Sequence, residues 1–212
     1  MGGAGQGTGS LAEKVPSAAV PVPTDEIYEK YRDKAIVEIN ALADEIVRAA
    51  RGRVPVLGSG HPLGDVLLLK YRPQRSEVQE GVAFFGRAGQ AILKSLQRLH
   101  VDPMAVYGTN CLKFADGDED ESRPFLLREL HIVQPKLVVA MGEQAVAFLN
   151  SVEFPLADAV TPEVGQLQRF TATVEALVVP DIDASLDEAP AKTAFWNAFK
   201  ALGQWWAALP PY

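Results

Sequence analysis

An α/β fold, a mostly parallel sheet covered by helices on both faces in three layers, is what this sequence predicts. Short continuous apolar runs at Asp65–Leu69, Lys136–Met141 and Ala176–Val179 have the composition of strands buried on both sides. Stretches of helical periodicity separate them, and parallel strands need such crossovers. With 212 residues and 48% hydrophobic content, the chain can bury one substantial core. The expected organisation is a tail over residues 1–23 and a single domain over 24–212.

The tail is rich in Gly, Ser, Ala and Pro and has too few large apolar side chains to offset the entropy of ordering it, so flexibility is expected. From Thr24 to Arg51, Ile27, Tyr31, Ala35, Ile39, Leu42 and Ile46 recur at helical spacing, with Thr24 as N-cap and Gly52 as stop. Residues 53–64 are turn-rich and lead into the first strand. His61 lies there, and a loop or packing role is expected for it. A long loop, 70–85, then joins that strand to a helix beginning near Gly86 and ending near His100. Ala105–Tyr107 predicts a strand running into Gly108, Thr109 and Asn110.

Asp116–Glu121, DGDEDE, lacks the glycine at loop position six and the distant glutamate of a calcium loop and reads as a solvated turn before a helix capped by Ser122. That helix stops at Pro135. A helix from Gly142 to Asn150 follows the second strand. Residues 151–175 predict only short strands such as Gln168–Val174. The chain closes on a helix from Pro190 to Leu209, whose Phe195, Phe199, Leu202, Trp205 and Trp206 read as core.

Charge narrows the function. The net charge of −7 argues against a general affinity for nucleic acid, but residues 53–115 hold eight basic against four acidic side chains, and residues 116–212 hold six against fifteen. A basic centre is compatible with one polyanion-facing side. A single cysteine, Cys111, excludes an internal disulfide or a cysteine-built metal site, so no cofactor is expected. No run approaches the roughly 20 apolar residues of a membrane span, and a cytoplasmic protein is expected. Neither a G-x-G-x-x-G nor a Walker loop is present, which argues against dinucleotide or NTPase chemistry. The long loop at the carboxyl end of a buried strand is therefore the place to look for a site.

Three motifs there and beyond carry a resemblance. GVAFFGRAGQ (81–90) after Pro73, Thr109-Asn110-Cys-Leu-Lys113, and LLRELHIVQPKLVVAMG (126–142) resemble, in order and spacing, the motifs of the bacterial and archaeal uracil-DNA glycosylases of the iron-sulfur branch. The resemblance implies a uracil-DNA glycosylase-like fold, uracil-containing DNA as partner, and a flipped base stacked on Phe84 and paired with the Asn110 amide. It also exposes departures. The four cluster cysteines are absent, with Ala49 and Gly52 where the first pair would stand. The family's G-E-A-P-G falls on Lys70, Tyr71, Arg72, Pro73 and Gln74, so its carboxylate becomes Tyr71, and the histidine of its H-P-S becomes Asp183.

Glycosidic cleavage builds positive charge on the sugar and negative charge on the departing base, so these exchanges bear on rate. Glu77, in the same loop, is a candidate substitute carboxylate. Lys70, Arg72 and Arg75 are candidates for contact with DNA phosphates. Two functions stay open: a glycosylase-like protein whose hydrolysis is residual or carried by non-standard residues, and a catalytically silent module binding single-stranded nucleic acid or a nucleotide.

Overall fold

The computed structural model describes residues 1–2 and 23–210, and the expected tail lies almost wholly outside them. The element order is α1 (Pro23–Ala49), β1 (Ser59–Gly60), β2 (Val66–Lys70), α2 (Arg75–Glu80), α3 (Arg87–Arg98), β3 (Val106–Asn110), α4 (Glu119–Val133), β4 (Leu137–Met141), α5 (Glu143–Ser151), β5 (Leu167–Arg169), β6 (Glu175–Val179) and α6 (Ala189–Ala208). One sheet of six strands runs β1-β3-β2-β4-β6-β5. The four central strands are parallel, and the short strands β1 and β5 close the two edges antiparallel.

Alternation along each strand sorts side chains to two faces. Leu67, Leu69, Val138, Ala140, Ala176 and Val178 pack against α4 and α5. Val66, Leu68, Leu137, Val139, Leu177 and Val179 pack against α3 and α6, including Phe195, Phe199, Leu202 and Trp205 of the closing helix. The aromatic stripe of α6 is core, as its spacing predicts. The three-layer α/β/α arrangement follows directly. Helix α1 lies outside it, with Leu42 and Ile46 packed on Ala50 and Phe114. Among the described residues no helix is long and apolar enough to cross a membrane.

Several boundaries differ from expectation for local reasons. The first helix starts at Pro23, one residue before the expected cap, because proline's fixed φ suits a first helical position. Helix α4 begins at Glu119, ahead of Ser122: Asp118 caps it by accepting the Glu121 N–H at 2.7 Å, and the acidic run falls where a helix N-terminus favours negative charge. Ser122 is buried within the helix and accepts the Lys113 N–H instead. The loop 70–85 is not continuous loop, since α2 occupies its middle. The strand expected over Gln168–Val174 shortens to β5, because the chain turns at Thr171, whose hydroxyl accepts the Thr173 and Val174 N–H groups. His61 serves its loop, its Nδ1 accepting the Leu63 N–H.

Candidate functional site

The carboxyl ends of the parallel strands meet at one edge, with Lys70 in register with Asn110 of β3 on one side and Met141 of β4 on the other. In open α/β sheets this edge is where ligands bind. Lys70 continues the row of Val66 and Leu68, and Asn110 continues that of Val106 and Gly108, so both side chains rise on the face covered by α3 and α6.

Lys70 is buried, and its ammonium bonds to Glu77 Oε2 at 2.8 Å and to Asp183 Oδ2 at 2.7 Å. A buried charge is tolerated only when paired in this way. The expectation that Lys70 reaches DNA phosphates is therefore corrected: its ammonium is held inside the protein between two carboxylates. Arg72 and Arg75 of the same loop are exposed.

Glu77 is buried and fully committed. Its Oε2 also accepts the Gln74 N–H at 2.6 Å, and its Oε1 accepts the Phe84 N–H. It ties α2 to the segment carrying Phe84, and with its side chain 1% exposed and three donors on its oxygens it serves first as the tether of this loop. Phe84 needs that tether, because its φ of 60° is one that side-chain-bearing residues rarely adopt. The ring lies on Gly108, where a Cβ would stand 2.7 Å from Phe84 Cδ2, so only glycine lets the ring reach the strand. The Lys70 ammonium stands 5.2 Å from the ring centroid.

Asp183 belongs to the turn after β6. Asp181 Oδ1 accepts the Asp183 N–H at 2.7 Å, and the Ser185 hydroxyl bonds back to the Asp181 carbonyl at 2.6 Å, so the turn holds Asp183 toward Lys70. Burial pushes the Asp183 carboxyl above the usual aspartate range, against the opposing pull of the Lys70 charge. Its side chain is 17% exposed, against 3% for Lys70 and 1% for Glu77. It opens on a cleft of about 370 Å³ also lined by Arg75 and Arg87.

Asn110 is the anomaly. It is wholly buried, yet neither its Oδ1 nor its Nδ2 finds a hydrogen-bond partner among the described residues. An unsatisfied buried polar group costs about 1–3 kcal/mol, and each such group needs a reason. Its main chain is pinned from below, where Lys113 Nζ donates to the Asn110 carbonyl at 2.8 Å.

Tyr71 does not join this group. It turns to the opposite face, packs against the α4–α5 side and donates its hydroxyl to Glu119 Oε1 at 2.8 Å. That bond, first among the causes, raises the phenol above its ordinary range. The two positions expected to mark one catalytic centre, Tyr71 and Asp183, are thus separated, and Lys70 stands beside Asp183 instead.

A four-cysteine cluster does not fit these residues. Cys111 is the sequence's single cysteine, it is buried, and burial pushes its thiol far above the usual range. Among the described residues no group of three or more His, Cys, Asp or Glu side chains is placed to hold a metal ion.

The carboxyl edge of the four parallel strands thus gathers an asparagine, an aromatic ring and a buried charge cluster within one α/β domain. Residues 57–202 match the model of the uracil DNA glycosylase superfamily, and the chain belongs to that superfamily. It is 24% identical over 160 residues to the type-4 uracil-DNA glycosylase of Archaeoglobus fulgidus, covering 70% of this chain and 80% of that protein. It is also 29% identical over 105 residues to the type-4 uracil-DNA glycosylase of Sulfurisphaera tokodaii, covering 45% and 48%. Over 95 residues it is 30% identical to that of Pyrobaculum aerophilum, covering 41% and 48%.

Proposed function

We propose that this protein binds a flipped uracil, or a related damaged base, in DNA and hydrolyses its N-glycosidic bond with residues other than the family's usual pair. The observation that carries the reading is the buried, unpartnered amide of Asn110. An amide offers an acceptor and donors on one edge, which is what the pairing edge of uracil requires. A base held there would lie against Phe84, and flipping supplies the aromatic contact that offsets part of the unstacking cost. The relatives named uracil-DNA glycosylases support DNA as the partner, and Arg72 and Arg75, both exposed, are the candidates for contact with its phosphates.

The test is binding and excision on single- and double-stranded oligonucleotides containing uracil or thymine, scored by gel shift and by abasic sites. Asn110→Ala and Phe84→Ala should each lower affinity for the uracil strand about 10- to 100-fold, as loss of about 1–3 kcal/mol of base contact implies, with little change for thymine. Wild type that treats the two strands alike, or an Asn110→Ala protein that still separates them, would overturn the reading. Binding without abasic product would leave recognition standing and remove hydrolysis.

A further inference from the structure

We propose that Lys70 and Asp183 act as the charge pair of bond cleavage, Lys70 stabilising the departing base and Asp183 serving the sugar side. This deepens the reading above and rests on it.

The placement follows from the sheet. Lys70 and Asn110 occupy matching positions on adjacent parallel strands, about 4.8 Å apart, and share a face. A base whose edge meets the Asn110 amide therefore has Lys70 as its neighbour. Stacked rings approach to about 3.5–4.0 Å. The Lys70 ammonium, 5.2 Å from the Phe84 centroid, stands at the margin of the layer such a base would take. An ammonium carries three donors. Glu77 and Asp183 accept two of them, leaving one for the base.

The two carboxylates are not equivalent. Both border the cleft carrying Arg75, Arg87 and Asp187, but Glu77 is enclosed and occupied by backbone donors, whereas Asp183 is the partly open member. Arg87 is paired with Asp187 at 2.6 Å, so a phosphodiester is drawn to Arg75, which brings its sugar to Asp183. The step then balances without any further reactant but water. The C1′–N bond breaks with its electron pair leaving on the base. A water oxygen adds to C1′ and its proton passes to Asp183. The base anion, held by the Lys70 ammonium, takes a proton from solvent. Positive charge lies where the base becomes negative and negative charge where the sugar becomes positive, in a site dry enough to make both count.

The test is single-turnover excision, at saturating protein, of uracil and of 5-fluorouracil from a single-stranded oligonucleotide, with affinity measured in parallel. Lys70→Met and Asp183→Asn should each slow uracil release about 10²-fold, with far smaller changes in affinity. Lys70→Met should slow 5-fluorouracil less than uracil, because the fluorine already stabilises the departing anion; Asp183→Asn should slow both alike. A structural role alone would not move that ratio. Should Lys70→Met fail to fold, Asp183→Asn decides, since it removes one of two carboxylates facing a single ammonium.

Wild-type rates in either variant would overturn the proposal. So would faster excision by Lys70→Gly, which would make Lys70 an obstruction in the base site. Wild type that distinguishes uracil from thymine but leaves no abasic sites overturns this proposal and spares base recognition. Wild type that fails to distinguish them overturns the reading on which it rests.

Discussion

Two buried lysines, forty-three positions apart in the chain, serve opposite faces of the same sheet and differ in how their charge is met. Lys113 is fully enclosed. Its ammonium bonds to Glu129 Oε2 at 2.6 Å, to Thr109 Oγ1 at 2.7 Å and to the Asn110 carbonyl at 2.8 Å, which uses all three donors. Glu129 in turn accepts from the hydroxyls of Thr109 and Tyr107. One cation, one carboxylate and satisfied hydroxyls make a closed network that fixes the end of β3 against α4. Lys70 faces two carboxylates, and one of them opens to the surface. Closed balance is what a structural cluster needs; an unbalanced cluster with an opening is a candidate for a site.

The largest effect that separates them concerns stability. Lys113→Met strands the Glu129 carboxylate in a dry interior and should cost about 3–5 kcal/mol in urea denaturation. Lys70→Met should cost less than Lys113→Met, since Glu77 keeps two backbone N–H donors and the Asp183 carboxyl reaches solvent. Equal losses would erase the distinction between the clusters.

A smaller effect sharpens the separation of the two faces. Tyr71→Phe removes the bond to Glu119 and should cost about 0.5–1.5 kcal/mol of stability, measured by the same denaturation, with uracil excision unchanged. A drop in excision without a comparable loss of stability would return Tyr71 to the reacting centre.

Much of the fold was legible because the parallel strands are continuous apolar runs, and continuous burial is what the interior of such a sheet demands. The edge strands were less so: β5 was read too long, as 168–174, and β1 was missed. β1 is Ser59–Gly60 within a glycine- and proline-rich passage, and its place comes from pairing with β3 across the sheet, not from its own composition. In the candidate site, Phe84 and Asn110 were proposed from their motifs. The partners of Lys70 were not: Asp183 lies 113 positions away, and a lysine flanked by Tyr71 and Arg72 reads as a surface charge until the strand register turns it inward. Tyr71 was misplaced for the same reason, since one step along a strand changes the face. Glu77 looked available because sequence does not show that three donors converge on it.

The central claim is that the Asn110 amide is kept unpartnered for a base. Nitrogen-15 NMR of that side-chain amide, followed during titration with a uracil-containing oligonucleotide, tests it most directly. The account predicts that the Asn110 side-chain resonances move to a new bound position at saturation with the uracil strand and stay near their free position with the matching thymine strand. Unmoved resonances at saturating uracil strand, with binding confirmed in the same sample, would contradict it.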